Sequence, residues 1–331
     1  MNEREIISIF DKLSRNKGRG LVQGIGDDCA VFKTGGDELW LVTMDTLVES
    51  IHFNNDWHPP FKLGWKSVAV NVSDIAAMGG NPTYAFLSLA LPPDFSRQWL
   101  AEFSRGLAAA CREYDCFLAG GDTVRSSEGI MITLTVMGHA AEDKILYRSN
   151  ALSGDDIWVS GTLGSAAAGL DLCKRGRVDD GSVAPLVEAH CAPKPRLDLA
   201  RRLATSGLVN AMIDLSDGLA SDLAHICNQS SAGAVIQADL LPISGMVRDV
   251  AVELGKDPLH LALAGGEDYE LLFTAPARNR NEIVSLADTG LLTRIGNMEK
   301  RPGVRLSFGI SGGKSLPPKD ITFLGFDHFK E

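Results

Sequence analysis

The 331 residues hold no cysteine pair at C-x-x-C spacing and no Cys/His cluster at zinc-finger spacing, which sets aside thiol redox motifs and structural zinc. Six cysteines (Cys29, Cys111, Cys116, Cys173, Cys191, Cys227) are scattered among mostly apolar neighbours, which suits a reducing compartment better than a disulfide framework. No run approaches the roughly 20 apolar residues that span a bilayer. The N-terminus, MNEREIISIFDKL, lacks the basic stretch and apolar core of a signal peptide. Positive charge is short as well. With 32 Lys and Arg against 42 Asp and Glu, the net charge is −10, whereas a nucleic-acid binder needs a basic face to displace counterions. A cytoplasmic protein with neither membrane nor nucleic-acid partners is expected. Anionic substrates stay open, provided that cations accompany them.

What is present is an ordinary globular composition, 45% hydrophobic and 22% charged, long enough for two domains. Helical periodicity marks residues 4–13, 61–79 and 96–114. Strand patterns mark 30–32, 39–44, 85–92, 116–123 and 130–140. The polar, turn-rich stretch 149–156 is the expected boundary between domains 1–150 and 151–331. Beyond it, strands at IWVSG, NAMIDLS, GAVIQA, YELLFTA and LLTRIGNM alternate with helices at 162–175 and 217–229 and two more through about 205. That alternation predicts an α/β or α+β layered fold.

The acidic residues are unusually placed. Asp27 and Asp28 in GIGDDCAVF, Asp45 in VTMDTLVES, Asp74 in VNVSDIAAMGG, Asp122 in LAGGDTVR, Asp214 and Asp217 in MIDLSDGL, and Glu267 and Asp268 in LAGGEDYE follow apolar runs, beside Gly, Ser or Thr. Most read as strand ends. Asp74 belongs to a helix, with Asn71 one turn earlier on the same face. Singly, such residues are more often turns or helix caps, and Asp217 and Asp268 suit those roles. Together they exceed what capping demands. Converging carboxylates repel, and bound divalent cations remove that penalty. All-oxygen donors select Mg²⁺, Ca²⁺ or Mn²⁺ over zinc, and flanking glycines let a polyphosphate approach the backbone. The pattern points to Mg²⁺–nucleotide chemistry.

The standard phosphate motifs are absent. GISGGKS (309–315) imitates a P-loop but has Phe308 where the first glycine belongs. GIGDDC has Cys29 at the third glycine position of a dinucleotide fingerprint, and its aspartates would repel a pyrophosphate. His225, on an apolar helical face, reads as structural. His52, just past the Asp45 motif, is a candidate to touch substrate.

GIGDDCAVF, TMDTLVESIHF, KSVAVNVSDIAAMGGNP, GGDTVR, SGTLGSAAAGL, IDLSDGLASDL and GGEDYELLF, in this order, resemble the thiamine-monophosphate kinase family. That family lies in the ATP-binding superfamily shared with aminoimidazole ribonucleotide synthetase. The likeness runs from about residue 5 to the closing GFDHF (325–329). It implies a homodimer of two-domain α/β chains, with an N-terminal mixed sheet and its helices at the dimer interface. A C-terminal α/β layered domain would close over the nucleotide. It also implies Mg²⁺-dependent transfer of the ATP γ-phosphoryl group to thiamine monophosphate, giving thiamine diphosphate and ADP.

Carried over by position, Asp28, the triplet Thr43, Met44 and Asp45, then Asp74, Asp122, Asp214 and Asp217 would bind several Mg²⁺ ions. Asp45, Asp122 and Asp217 are the residues expected to be catalytic. Gly121, Asp122, Arg148 and Ser216 would bind ATP, and His52, Glu267 and Phe323 the substrate, Phe323 by stacking on an aromatic ring. Met44 departs from the commoner Ser or Thr. Two readings compete. Another enzyme of the superfamily is one; a selenophosphate synthetase would want a cysteine or selenocysteine near the N-terminus, and the first 24 residues hold no cysteine. A non-catalytic acidic module that binds metal without ATP is the other.

Overall fold

A computed structural model describes residues 2–14, 18–311, 314–315 and 317–329, with the side chains of 14, 310, 311, 314 and 315 left aside. Helix α1 (Glu3–Ser14) starts with a reciprocal cap. Asn2 Oδ1 accepts from the Glu5 N–H, and Glu5 Oε2 accepts from the Asn2 N–H, each at 3.0 Å. There follow β1 (Leu21–Gln23), β2 (Ala30–Phe32), β3 (Glu38–Val48), α2 (Pro60–Ala77), β4 (Asn81–Leu91), α3 (Arg97–Glu113), β5 (Phe117–Arg125) and β6 (Met131–Ala141). The strands form one mixed sheet in the order β1-β2-β3-β6-β4-β5. β3 and β6 pair antiparallel from Glu38↔Ala141 to Val48↔Met131, while β5 lies parallel to β4 at the edge.

Two strands outrun the expectation. β3 continues through Asp45 because Thr46, Leu47 and Val48 extend its ladder, and β5 continues through Gly121 and Asp122 to Arg125. Both aspartates therefore sit within strands rather than at their ends. Helices α2 and α3 cover one face of the sheet. The opposite face leaves Met44, Tyr84, Phe86 and Met131 exposed.

The second half comprises β7 (Asp155–Ser160), α4 (Ser165–Lys174), α5 (Ala184–Cys191), α6 (Leu197–Ser206), β8 (Ala211–Asp214), α7 (Leu219–Gln229), β9 (Gly233–Gln237), α8 (Gly245–Leu254), α9 (Pro258–Ala264), β10 (Leu271–Pro276), α10 (Arg280–Ser285), β11 (Leu292–Glu299), β12 (Gly303–Ser307), β13 (Ile310–Ser311), β14 (Lys314–Ser315) and β15 (Lys319–Asp320). Its sheet runs β15-β12-β9-β11-β7-β10-β8; β9 and β12 pair in parallel and the other neighbours antiparallel. The P-loop look-alike becomes a hairpin, with Ile310 opposite Ser315. Its residues 312 and 313 lie outside the described ones.

Helix α2 is the shared girder. Thirteen of its residues are buried, from Leu63 to Ala77, including Lys66, Ser67, Asn71 and Ser73. One apolar core joins the first sheet, α2, α3 and α6 to Met212 of β8 and Phe273 of β10, so the two halves share packing across this helix. A second core lies under α7 and α9, and a third among α4, α5 and α8. Among the described residues no helix is long and apolar enough to cross a membrane.

Candidate active site

Period two along β3 sends Thr43 and Asp45 toward α2 and Met44 to the open face, where Met44 is 64% exposed. Only the main chain of Met44 therefore lies with its neighbours. On α2, Asn71 Oδ1 accepts from the Asp45 N–H at 3.1 Å. Thr43 Oγ1 donates to Asp74 Oδ2 at 2.5 Å, and Ser73 Oγ donates to Asp214 Oδ2 at 2.6 Å. Asp214 ends β8. The result is a cluster in which one carboxylate oxygen each from Asp28, Asp74 and Asp214 lie within 4.8 Å of one another.

Burial dominates the electrostatics here and like charge adds to it. The Asp74 carboxyl is pushed well above its ordinary value by burial, then by Asp45, Asp214 and Asp28. Burial and Asp28 raise Asp214 to about 8. Burial and Asp217 raise Asp45 to about 6, and burial with Glu3 raises Asp217 to about 6. Carboxyls so placed, with oxygen donors only, suit a hard divalent cation.

The two adjacent aspartates of GIGDD do different jobs. Asp27 serves the loop: its Oδ1 accepts from the Asp28 N–H at 3.1 Å and its Oδ2 from the Arg148 N–H at 3.4 Å. Asp28 joins the cluster and takes the Arg148 guanidinium through both Nε and Nη2, the Nε contact at 3.3 Å. Arg148 is the permanent cation at the cluster's edge.

Asp217 is not the cap of α7. Asp222, inside the helix, accepts the N–H groups of Asp217 and Gly218 at 3.2 and 3.1 Å and leaves the Asp217 carboxylate without a capping role. The expected turn residue Asp268 instead anchors the start of α4, accepting from the Gly164 and Ala166 N–H groups.

Asp45, Ser216 and Asp217 open onto a hollow of about 810 Å³ that His52, His190, Glu267, Phe326 and His328 also line. His52 Nδ1 accepts from the Val48 N–H at 3.0 Å, and its ring lies 5.0 Å from that of His328. Glu267 stands at φ +68°, its N–H bonded to Ser216 O at 2.7 Å. Its carboxylate meets Lys66 Nζ and His190 Nδ1, each at 2.8 Å.

Two expected positions stand apart from the hollow. Phe323 takes φ +56° and turns into a side recess, where the Arg4 guanidinium lies 3.5 Å above its ring and His225 meets its edge. Three residues on, Phe326 lines the hollow. Asp122 sits on β5, exposed, accepting from its neighbour's N–H. Gly121 is required there because a Cβ would lie 1.8 Å from Leu87 O. Sequence reasoning missed Lys66, Ser73, His190 and Phe326. Phe326 lay in the closing GFDHF, and Lys66 and Ser73 lay in KSVAVNVSDIAAMGGNP; His190 carried no signal.

The descriptions "AIR synthase related protein, N-terminal domain" and "AIR synthase related protein, C-terminal domain" fit residues 26–140 and 153–309. Thiamine-monophosphate kinase of Haemophilus influenzae is 38% identical over 312 residues, 93% of this chain and 92% of the relative. That of Escherichia coli K12 is 40% identical over 329 residues, 98% of this chain and 97% of the relative. Among solved structures, AaThiL complexed with AMPPCP and TMP superposes with a TM-score of 0.84 at 33% identity, covering 99% of this chain and 97% of that one.

Proposed function

The chain belongs to the thiamine-monophosphate kinase family, and on that premise we propose that it transfers the γ-phosphoryl group of ATP to the phosphate of thiamine monophosphate, giving thiamine diphosphate and ADP. The observation that carries this reading is the convergence of Asp28, Asp74 and Asp214 from three separate segments, next to Asp45, which with Asp217, His52, Glu267 and Phe326 lines the hollow. An assay of purified protein with ATP, Mg²⁺ and thiamine monophosphate tests it. Formation of thiamine diphosphate and ADP supports the reading, and metal binding without turnover overturns it.

Phosphoryl transfer asks the protein for position and charge more than for covalent chemistry. Here the acceptor is itself an anion. Asp28, Asp45, Asp74, Asp214 and Asp217, with Thr43 and the main chain of Met44, are the groups proposed to hold Mg²⁺. When bound, Mg²⁺ supplies the positive charge that lets carboxylates and two phosphates share one site. Arg148 adds a fixed cation to the phosphate chain beside Ser216. Asn71 and Ser73 keep Asp45 and Asp214 in register through the hydrogen bonds above. No general base is required, since a phosphate monoester is already an oxygen nucleophile near neutral pH. Phe326, its N–H bonded to Asp217 O at 3.1 Å, lines the hollow that His52 and Glu267 share and is the ring better placed than Phe323 to stack on thiamine.

The raised carboxyls set a pH dependence. Because folding raises them above the unfolded value of 3.8, their favourable contribution is complete below about pH 4 and is lost as pH rises through 6 to 8. Metal-free protein should therefore melt about 5 °C or more lower at pH 8 than at pH 5. Added Mg²⁺ should recover that loss at pH 8 and do little at pH 5. Scanning fluorimetry in chelator and in Mg²⁺ checks this; equal Mg²⁺ effects at both pH values would count against the metal assignment.

A homodimer accounts for the isolated Asp122 and Gly121. All nine residues of β5 are exposed, and Phe117, Leu118 and Val124 on it adjoin the open sheet face with Phe86, Met44 and Met131. A bare edge strand beside an apolar face calls for cover, and a second copy supplies it. Leu118→Lys should shift the particle mass in light scattering from dimer to monomer; an unaltered protein that is already monomeric would refute the assignment. The six cysteines are all free and buried, which agrees with a cytoplasmic setting.

A further inference from the structure

Lys66 is the only lysine in the buried face of α2, its side chain 0% exposed. A buried ammonium is costly unless paired and is seldom kept where an apolar residue would pack as well. Its counter-ion is Glu267, at 2.8 Å, and the other Glu267 oxygen meets His190 Nδ1 at 2.8 Å. Burial and then the Lys66 charge hold the His190 imidazole below the ordinary value, against the pull of Glu267. The three groups come from α2, α5 and the turn before β10, so the contact crosses between the two halves. The turn is itself constrained. Glu267 and Tyr269 both take left-handed φ, at +68° and +48°, and their N–H groups are bonded to Ser216 O and Leu215 O. Each carboxylate oxygen thus lies against a protein nitrogen, while the Glu267 side chain keeps 23% exposure and opens onto the hollow.

Resting on the functional reading above, we propose that Lys66 is a positioning residue for thiamine monophosphate. Its ammonium, with His190, locks the Glu267 carboxylate at the substrate end of the hollow, where it accepts from the aminopyrimidine or faces the thiazolium cation. Burial alone would raise the Glu267 carboxyl; Lys66 and His190 outweigh it and hold the group ionised well below the usual range. Facing that carboxylate are Lys66 from α2, His190 from α5, His52 and His58 from the segment before α2, and Tyr269 from its own turn; Lys174 of α4 faces His190.

The experiment is steady-state kinetics of the full chain with Mg²⁺, varying ATP and thiamine monophosphate separately from pH 5.5 to 8.5. It uses the unaltered enzyme, Lys66→Met, Glu267→Gln and the double variant. Lys66→Met should raise KM for thiamine monophosphate at least about tenfold while KM for ATP moves less than about twofold. Its kcat/KM for thiamine monophosphate should fall more steeply toward low pH than that of the unaltered enzyme, because Glu267 without Lys66 more readily takes up a proton. The double variant should be no worse than the worse single one, the mark of two groups acting as a unit. Equal changes in both KM values, an unchanged pH profile, or additive losses would overturn the role. If Lys66→Met fails to fold, Glu267→Gln, which keeps the volume, decides by the same KM split. An active unaltered enzyme with an unmoved Lys66→Met overturns the positioning role alone, whereas an inactive unaltered enzyme removes the functional reading and this proposal together.

Discussion

Asp45→Asn should lower kcat by at least about a thousandfold and leave the protein as stable as before or more so. The two halves of that result come from one cause. Asp45 sits mid-strand, its main chain tied to Asn71, so the amide keeps the backbone bond and the shape. What changes is charge at the mouth of the hollow, beside Asp217. In metal-free protein that charge is unfavourable, since burial and Asp217 both oppose it, and its removal should raise Tm by about 2 °C or more at pH 8. On the proposed reading it is, with substrates and Mg²⁺, the charge that the reaction uses. Activity and melting measured on the same preparation test the pairing. Turnover within tenfold of the unaltered enzyme at saturating Mg²⁺ would show that Asp45 does not hold metal. Lost activity with a lower Tm would show only that the fold had suffered.

Arg148→Met is the opposite case. The guanidinium is the cation touching Asp28, and burial lowers its own pKa less than Asp28 and Asp27 raise it. Removing it strands Asp28 among Asp27, Asp74 and Asp214 with no compensating charge. Breaking one partner of a buried pair costs about 3–5 kcal/mol, and the low end suits a site that its own carboxyls can relieve by taking up protons. The expected loss is therefore about 3 kcal/mol in chelator at pH 8 and about half that at pH 5. Urea unfolding at the two pH values reads it. A loss independent of pH would mean that Arg148 acts by packing, as an apolar stem, and not as the counter-ion of the cluster.

Much of the candidate site was legible because its residues leave local marks. GIGDD, SDIAAM and LSDG each break an apolar run with a carboxylate, and the fold brings Asp28, Asp74 and Asp214 together. The helices and strands around them follow from period and punctuation, and α2 matches its expected span within two residues. What stayed hidden is what local pattern does not encode. KSVAV reads as an ordinary amphipathic start, and nothing in it says that Lys66 faces inward to a partner some two hundred residues away. Asp122 follows its own strand faithfully, but the sheet edge that isolates it is set by the order of six strands. Phe323 and Phe326 are equivalent by composition. A left-handed turn at Phe323 decides which of them sees the hollow. Capping was misassigned for a similar reason: Asp222, one turn into α7, reaches back to the N–H groups that Asp217 was expected to serve.

Helix α2 has one more consequence. Lys66 and Asp74 are eight residues apart on a single rigid rod, which at 1.5 Å per residue is about 12 Å. One helix therefore fixes the distance between the counter-ion of Glu267 and the Asp28–Asp74–Asp214 cluster, and any movement of other elements leaves that separation as it is.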